Sequence, residues 1–286
     1  GMAATSHPLA TLAALDVLRA GGNAMDAAVA AGAVQCVVEP QSTGVGGDCF
    51  VLYSRGGSDE IVAFNGSGRA PAKATADFFA TQGIGAIDPL SPHAVTVPGA
   101  VDAWARLIAD HGTRTLSELL KPAIAYARDG YTVLDRVASD WARAQATLRN
   151  DPSATALFMA EGRTPAPGAL HRQPKLAATL ERIAGEGRDG FYQGLVAEDI
   201  VEHLNRRGGL HALSDFAAAK GEYVTPIKTD FRGLDIYQCP PNGQGIIALL
   251  QLNVLAGFAI EDRDPLSLER LHRAIEAARL AYADRD

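Results

Sequence analysis

The order of elements legible in this sequence predicts an α+β or layered α/β fold. Three observations carry that expectation. A glycine-rich stretch, residues 39–71, encloses two short apolar runs at 49–53 and 61–64, with Gly56-Gly57-Ser58 between them, the pattern of a β-hairpin. Helical patterns lie on both sides of this hairpin. Later, residues 223–227 and 234–237 read as two more strands, bent at Phe231-Arg232-Gly233, before two final helices. No internal repeat or low-complexity linker divides the 286 residues, so residues 1–286 are read as one region.

In order, residues 8–20 read as a first helix. Ser6 or His7 can cap it, and Pro8 is tolerated in its first turn. Leu9, Leu12, Leu15 and Leu18 predict a broad apolar face. Gly21-Gly22 ends this helix, and Asn23 caps a second, with Asp26 favourable in its positive first turn. The alanine-rich run 24–33 is small on every side, which suits a core helix packed closely on a sheet. Glu39-Pro40 stops it, because the residue before proline is pushed out of the α region. Gly44, Gly46 and Gly47 turn the chain into the hairpin. The second strand then delivers Asn65-Gly66-Ser67-Gly68-Arg69 to the sheet end.

Residues 71–92 are expected to wrap the surface. Pro98 opens a helix whose apolar face is Val101, Trp104, Leu107 and Ile108. Thr115-Leu-Ser-Glu118 is a capping box, Pro122 is expected to break or restart the helix that follows, and Asp129-Gly130 ends it. Residues 133–148, 176–184 and 195–206 read as helices, 150–168 as loop, and 185–194 as a turn. Ser214-Asp215-Phe216 opens a helical turn, 239–245 is a rigid-then-flexible loop, and 246–255 and 266–283 are helical.

Hydrophobic residues make up 47% and charged residues 21%, the balance of a soluble globular protein. No apolar run approaches the roughly 20 residues that span a bilayer. With a net charge of −7 and no basic block, nucleic acid is not an expected partner. Cys36, Cys49 and Cys239 sit in apolar settings, without zinc or Cys-x-x-Cys spacing, and read as buried free thiols. No signal peptide is legible at Ala3-Ala-Thr-Ser-His7, and location is left open between exported and cytoplasmic.

Several motifs are set aside on chemistry. Gly44-Val-Gly-Gly47 follows a helix and precedes a strand, the reverse of a dinucleotide loop. Pro240-Pro-Asn-Gly-Gln-Gly245 lacks the Gly-Lys-Ser/Thr ending of a phosphate loop and reads as a packed corner. The histidines at 7, 93, 111, 171, 203, 211 and 272 show no metal spacing and read as surface or capping residues. No Gly-x-Ser-x-Gly elbow exists. Asp284-Arg285-Asp286 reads as an ion-paired helix end. Arg69 has two readings: a surface arginine lying over its loop, or a cationic clamp for an anionic substrate.

Glu39-Pro-Gln-Ser-Thr-Gly-Val-Gly-Gly47 resembles the signature of the γ-glutamyltranspeptidase family. So do His7-Pro-Leu-Ala10, Arg19-Ala-Gly-Gly-Asn-Ala-Met-Asp-Ala-Ala-Val-Ala30 and Ala70-Pro-Ala-Lys-Ala-Thr75. The likeness runs on in order through Val97-Pro-Gly99, Lys121-Pro-Ala-Ile-Ala-Tyr-Ala-Arg-Asp-Gly130, Gln173-Pro174, Gly190-Phe-Tyr-Gln-Gly194, the Pro240 loop and Ala281-Tyr-Ala-Asp-Arg-Asp286.

The resemblance implies an N-terminal nucleophile hydrolase, an αββα sandwich of which this chain is the large-subunit part. It implies γ-glutamyl transfer or hydrolysis, with glutathione the usual donor. A threonine freed by autoproteolysis attacks the amide, its own α-amino group serving as base. That threonine opens a small subunit downstream of the Ala-Asp-Arg-Asp block, so no catalytic residue is expected among these 286. The small subunit from the same precursor is the expected partner, and no metal or organic cofactor is implied. In the family an arginine binds the donor's α-carboxylate. Alignment on Ala70-Pro-Ala-Lys-Ala-Thr75 puts it at Ser67, two residues before Arg69, a span of about 6.6 Å in extended chain. Ser67 and Arg69 are therefore the expected substrate-binding residues. The departure at Ser67 favours a related alternative, an acylase of glutaryl-cephalosporin-type amides. A non-catalytic binding protein that kept the fold is the alternative from another class.

Overall fold

The computed structural model describes residues 1–259 and 264–285. In chain order they form α1 (Pro8–Arg19), α2 (Ala24–Val38), β1 (Cys49–Ser54), β2 (Ile61–Gly66), α3 (Ala76–Thr81), α4 (Ala100–His111), α5 (Leu116–Asp129), β3 (Tyr131–Thr132), α6 (Asp135–Leu148), α7 (Pro152–Phe158) and β4 (Leu170–His171). There follow α8 (Pro174–Glu186), α9 (Asp189–Tyr192), α10 (Leu195–Arg206), α11 (Leu213–Ala217), β5 (Glu222–Val224), β6 (Ile227–Phe231), β7 (Leu234–Gln238), α12 (Gly245–Ala256) and α13 (Leu268–Ala283). Two units emerge: Gly1–Asp48 with Gly68–Lys220, and Cys49–Ser67 with Gly221–Asp286.

The first unit is mostly helical, with α2 at its centre and α1, α4 and α5 packed on it. The face of α1 that is buried is not its leucines. Ala10, Ala13 and Ala14 are buried and Leu12 is exposed. Alanines at this spacing let two helix backbones approach closely, and the alanines of α2 do the same from their side. Within this unit the neighbours of α2 are therefore helices rather than the sheet its composition suggests. Its start is fixed by Asn23, whose side chain accepts from Asp26 N–H, while Asp26 accepts in return from Asn23 N–H at 2.8 Å. Asp26 is fully buried and also accepts from Thr113 N–H, the Thr113 hydroxyl and Arg114 N–H.

Pro122 does not break α5, contrary to expectation. Its missing N–H removes one hydrogen bond. Leu119, Leu120, Ala123 and Ala127 are buried, with α5 packed on α2 and α8, and this burial holds the helix through the gap. Three stretches read as loop or turn contain short helices: α3 capped by Thr75, α7 capped by Asp151, and α9. The β3–β4 ladder pairs Tyr131 with His171 and Thr132 with Leu170.

In the second unit β1, β2 and β5 form one antiparallel sheet, with Cys49 opposite Gly66 and Ala63 opposite Val224. Gly221 leads into β5 close to the Phe64 ring; a Cβ there would lie 2.6 Å from it. The strand expected over 223–227 is really two, β5 and β6. Pro226 lies between them and cannot donate to a ladder. β6 and β7 form a tight hairpin whose two turn residues, Arg232 and Gly233, have φ of 58° and 79°, the left-handed pair that matches strand twist. α12 packs on β6, β7 and α13. Apart from Gln251 and Asn253 it is apolar, yet only Ile247 and Leu249 are buried.

Candidate functional site

In the second unit the polar residues gather at the end of β2. Asn65 stands opposite Phe50 and so shares its face of the sheet. The loop after β7 returns to this face. Asn242 Oδ1 accepts from Asn65 Nδ2 and from the Ser67 hydroxyl, both at 3.1 Å, and its Nδ2 lies 3.0 Å from the same hydroxyl. Ser67 N–H donates to Asn65 Oδ1 at 3.0 Å. Ser67 is thus held in a neutral amide–hydroxyl cluster. The Pro240 loop touches the sheet at Gly243, which lies against the Phe50 ring, and at Cys239, whose thiol faces the Val51 carbonyl at 3.6 Å, but Pro241, Asn242 and Gln244 are exposed, so it is less packed than expected. Burial pushes the Cys239 thiol pKa up, which keeps it protonated and a poor nucleophile.

In the first unit the glycine loop after α2 is tied to the start of α4. Gly47 N–H donates to Gly44 O, and Gly47 O accepts from Gly99 N–H and Ala100 N–H, all at 3.0 Å. Gly68 N–H donates to Asp48 Oδ1 at 3.2 Å. Gly68 lies so close to the next segment that a Cβ would fall 1.4 Å from the Val97 carbonyl oxygen. Val97 N–H donates to Arg69 O at 2.9 Å. The backbone that carries Arg69 is therefore fixed, and its side chain is exposed. Its guanidinium makes no hydrogen bond or ion pair with a described residue.

The Val97 segment is itself braced. The Tyr192 hydroxyl donates to Pro98 O at 2.8 Å and accepts from Asp102 N–H at 3.2 Å. Arg188 Nε donates to Asp102 Oδ1 at 2.5 Å, and its guanidinium lies 4.6 Å from the Tyr192 ring centre. Burial raises the Tyr192 phenol above its ordinary range, so it stays a neutral donor. This explains the Gly190-Phe-Tyr-Gln-Gly194 block, to which the sequence alone assigns no task. Asn242 is likewise a residue quoted in its motif without a role; only the fold shows which side chains it meets.

The histidine expectation holds for His7, which caps α1 through Nδ1, and for His203, partly exposed and 3.6 Å from Asp151. It fails for His171 and His211, which are buried, as His7 is also. Burial lowers the pKa of all three. His171 stacks on Phe158 and meets Tyr131 and Trp141 edge-on, so an aromatic cluster rather than water surrounds it. Cys36 and Cys239 are buried and in no disulfide, as expected, but Cys49 is only half-buried. Of the expected ion-paired end, Arg285 lies 5.0 Å from the Tyr282 ring, and Asp286 falls outside the described residues. Among the described residues no group of His, Cys, Asp or Glu could hold a metal ion, and no helix is long and apolar enough to cross a membrane.

A model of the gamma-glutamyltranspeptidase family matches residues 10–286. The chain belongs to this family. As a gamma-glutamyltranspeptidase-family chain it shares the mixed helix-and-sheet fold of the N-terminal nucleophile hydrolases. The structure of gamma-glutamyltranspeptidase from Helicobacter pylori superposes with a TM-score of 0.91 at 33% identity, over 100% of this chain and 83% of that one. Cephalosporin acylase from Bacillus halodurans superposes with a TM-score of 0.88 at 38% identity, over 97% of this chain and 52% of that one. The glutathione hydrolase-like YwrD proenzyme of Bacillus subtilis is 38% identical over 287 residues, 100% of this chain and 54% of its own length. The chain spans about half the length of the curated relatives it matches. Family and relatives together group it with enzymes of the N-terminal nucleophile hydrolase type.

Proposed function

We propose that these residues are the large-subunit region of an enzyme that hydrolyses or transfers the acyl group of γ-glutamyl amides. The family match over residues 10–286 carries the reaction class. The nucleophile is a threonine outside this chain, freed by autoproteolysis of a common precursor. The small subunit it opens is the partner of this chain. That partner accounts for apolar surface in the second unit: Leu268, Ile275 and Leu280 on α13 are 85%, 58% and 58% exposed, beside an α12 that is apolar but for Gln251 and Asn253.

Arg69 is the substrate clamp in this reading. Its guanidinium is exposed, unclaimed by any described carboxylate, and mounted on backbone fixed at Val97. A charge-assisted hydrogen bond contributes roughly 1.5–3 kcal/mol, about 10- to 150-fold in an equilibrium constant. In the complete precursor, Arg69→Ala should raise KM for γ-glutamyl-p-nitroanilide by about that factor. An unchanged KM removes Arg69 from the site. Absence of any activity, or of an N-terminal threonine after processing, removes the enzyme reading and leaves a binding protein.

A second reading, an acylase for glutaryl-type amides, is favoured by the neutral Asn65–Ser67–Asn242 cluster, which sets no positive charge at Ser67. The equal 38% identities to a cephalosporin acylase and to a glutathione hydrolase-like protein leave both donors in play. Glutaryl-p-nitroanilide turned over faster than the γ-glutamyl compound would select it.

A further inference from the structure

Residues 97–100 link two stretches of the first unit, the Arg69 backbone and the glycine loop, and all four are buried. Val97 N–H donates to Arg69 O, whereas Gly99 N–H and Ala100 N–H both donate to Gly47 O. Pro98, between them, has no N–H, and its carbonyl accepts from the Tyr192 hydroxyl at 2.8 Å. The same phenol oxygen accepts from Asp102 N–H at 3.2 Å. Asp102 lies in the first turn of α4, where backbone donors have no carbonyl of their own helix to meet. One hydroxyl therefore fixes both the linking segment and the helix start behind it.

The phenol is itself held. Tyr192 is 1% exposed, too buried to touch a substrate. Its ring meets Phe191 edge-on at 5.0 Å and lies 6.5 Å from Phe216. Arg188 sits 4.6 Å from the ring centre, donates to the Asp102 carboxylate at 2.5 Å, and also donates to the carbonyls of Ala217 and Ala219. The ring, the guanidinium and the start of α4 thus form one brace behind the backbone that carries Arg69.

We propose that Tyr192 is a positioning residue for the substrate clamp: its hydroxyl sets where Arg69 presents its guanidinium, and so sets affinity for an acyl donor that carries a carboxylate. The role rests on the reading of Arg69 as that clamp. A guanidinium fork engages a carboxylate through two parallel N–H bonds, so it tolerates little drift in the base of its long side chain. Buried hydrogen bonds behind the contact residue are what hold that base.

Tyr192→Phe, made in the complete protein, keeps the ring and removes only the hydroxyl. KM for γ-glutamyl-p-nitroanilide should rise about two- to tenfold, the range of one net hydrogen bond. The kcat should stay near native, because the lost contact serves ground state and transition state alike. A general loosening that inactivates part of the protein would instead lower kcat and leave KM unchanged. In an Arg69→Ala background the same substitution should leave KM nearly unmoved, since the group it positions is gone. Arg188→Lys keeps a cation for Asp102 but gives up the bonds to Ala217 and Ala219. It loosens the brace from its outer end, should show the same dependence on Arg69, and is the variant to read if the phenylalanine protein melts below the assay temperature. A native KM in the folded variant, or an equal rise with and without Arg69, overturns the proposal and leaves the clamp standing. A native KM for Arg69→Ala alone removes the clamp, and the role of Tyr192 falls with it.

Discussion

Gly68 carries more structural consequence than its size suggests. A methyl group there would overlap the Val97 carbonyl, and that carbonyl cannot retreat freely because Tyr192 holds the adjacent Pro98. Gly68→Ala should cost about 3 kcal/mol or more in urea unfolding, or else displace the Arg69 backbone and raise KM instead. A variant with native stability and native KM would show that the segment yields easily. Titrating residues act on stability in a consistent direction. His7, His171 and His211 have folded pKa values below the ordinary 6.5 because burial disfavours their charged form. Below about pH 6.5 the unfolded chain takes up protons the folded chain resists, so stability falls with pH through that range. Burial alone would raise the Asp26 carboxyl; the Thr113 hydroxyl and the N–H groups of Asn23, Thr113 and Arg114 outweigh it and hold the pKa below 3.8. Its contribution, complete above that value, is lost only on further acidification. The urea midpoint should drop from pH 7.5 to pH 5.5, and replacing His171 and His211 with glutamine should flatten that drop. A midpoint unchanged over this interval would contradict the assignment.

At the scale of elements, what was legible was local. The caps of α1, α2 and α5 depend on side chains within three residues of the first turn, so His7, Asn23 and Thr115 reveal them. The hairpin is equally local, since one turn sets its register. What the sequence could not show was set by distant partners. The buried face of α1 is decided by the alanines of α2, not by the leucine spacing within α1. α3 and α7 are too short to give a period, and only their capping residues hint at them. The neutral cluster around Ser67 depends on Asn242, brought in from the far end of the chain. Pro122 is the opposite case, a local signal overruled by packing. Pro122→Ala restores the missing hydrogen bond and should stabilise the protein by about 1–2 kcal/mol, less than the full helix penalty because alanine also loosens the unfolded chain. Destabilisation on thermal melting would mean that the ring itself is a required packing element.

For the whole molecule, the exposed apolar surface of α12 and α13 decides behaviour in isolation. Residues 1–286 alone should bind a hydrophobic dye and self-associate in sedimentation. On the proposed reading, addition of the small subunit should suppress both. A monodisperse monomer that leaves the dye dark would mean that this surface needs no cover.

The connectivity of the second unit has a temporal side. β2 completes its sheet with β5, and the whole of Gly68–Lys220 is encoded between them. A ribosome making this chain therefore releases the hairpin early and its third strand late. Throughout that interval the β2 edge has no native partner, and an open strand edge invites wrong pairing. Translation speed and chaperone access across this middle segment should thus govern how much of the nascent protein matures, even though the segment contributes nothing to that sheet.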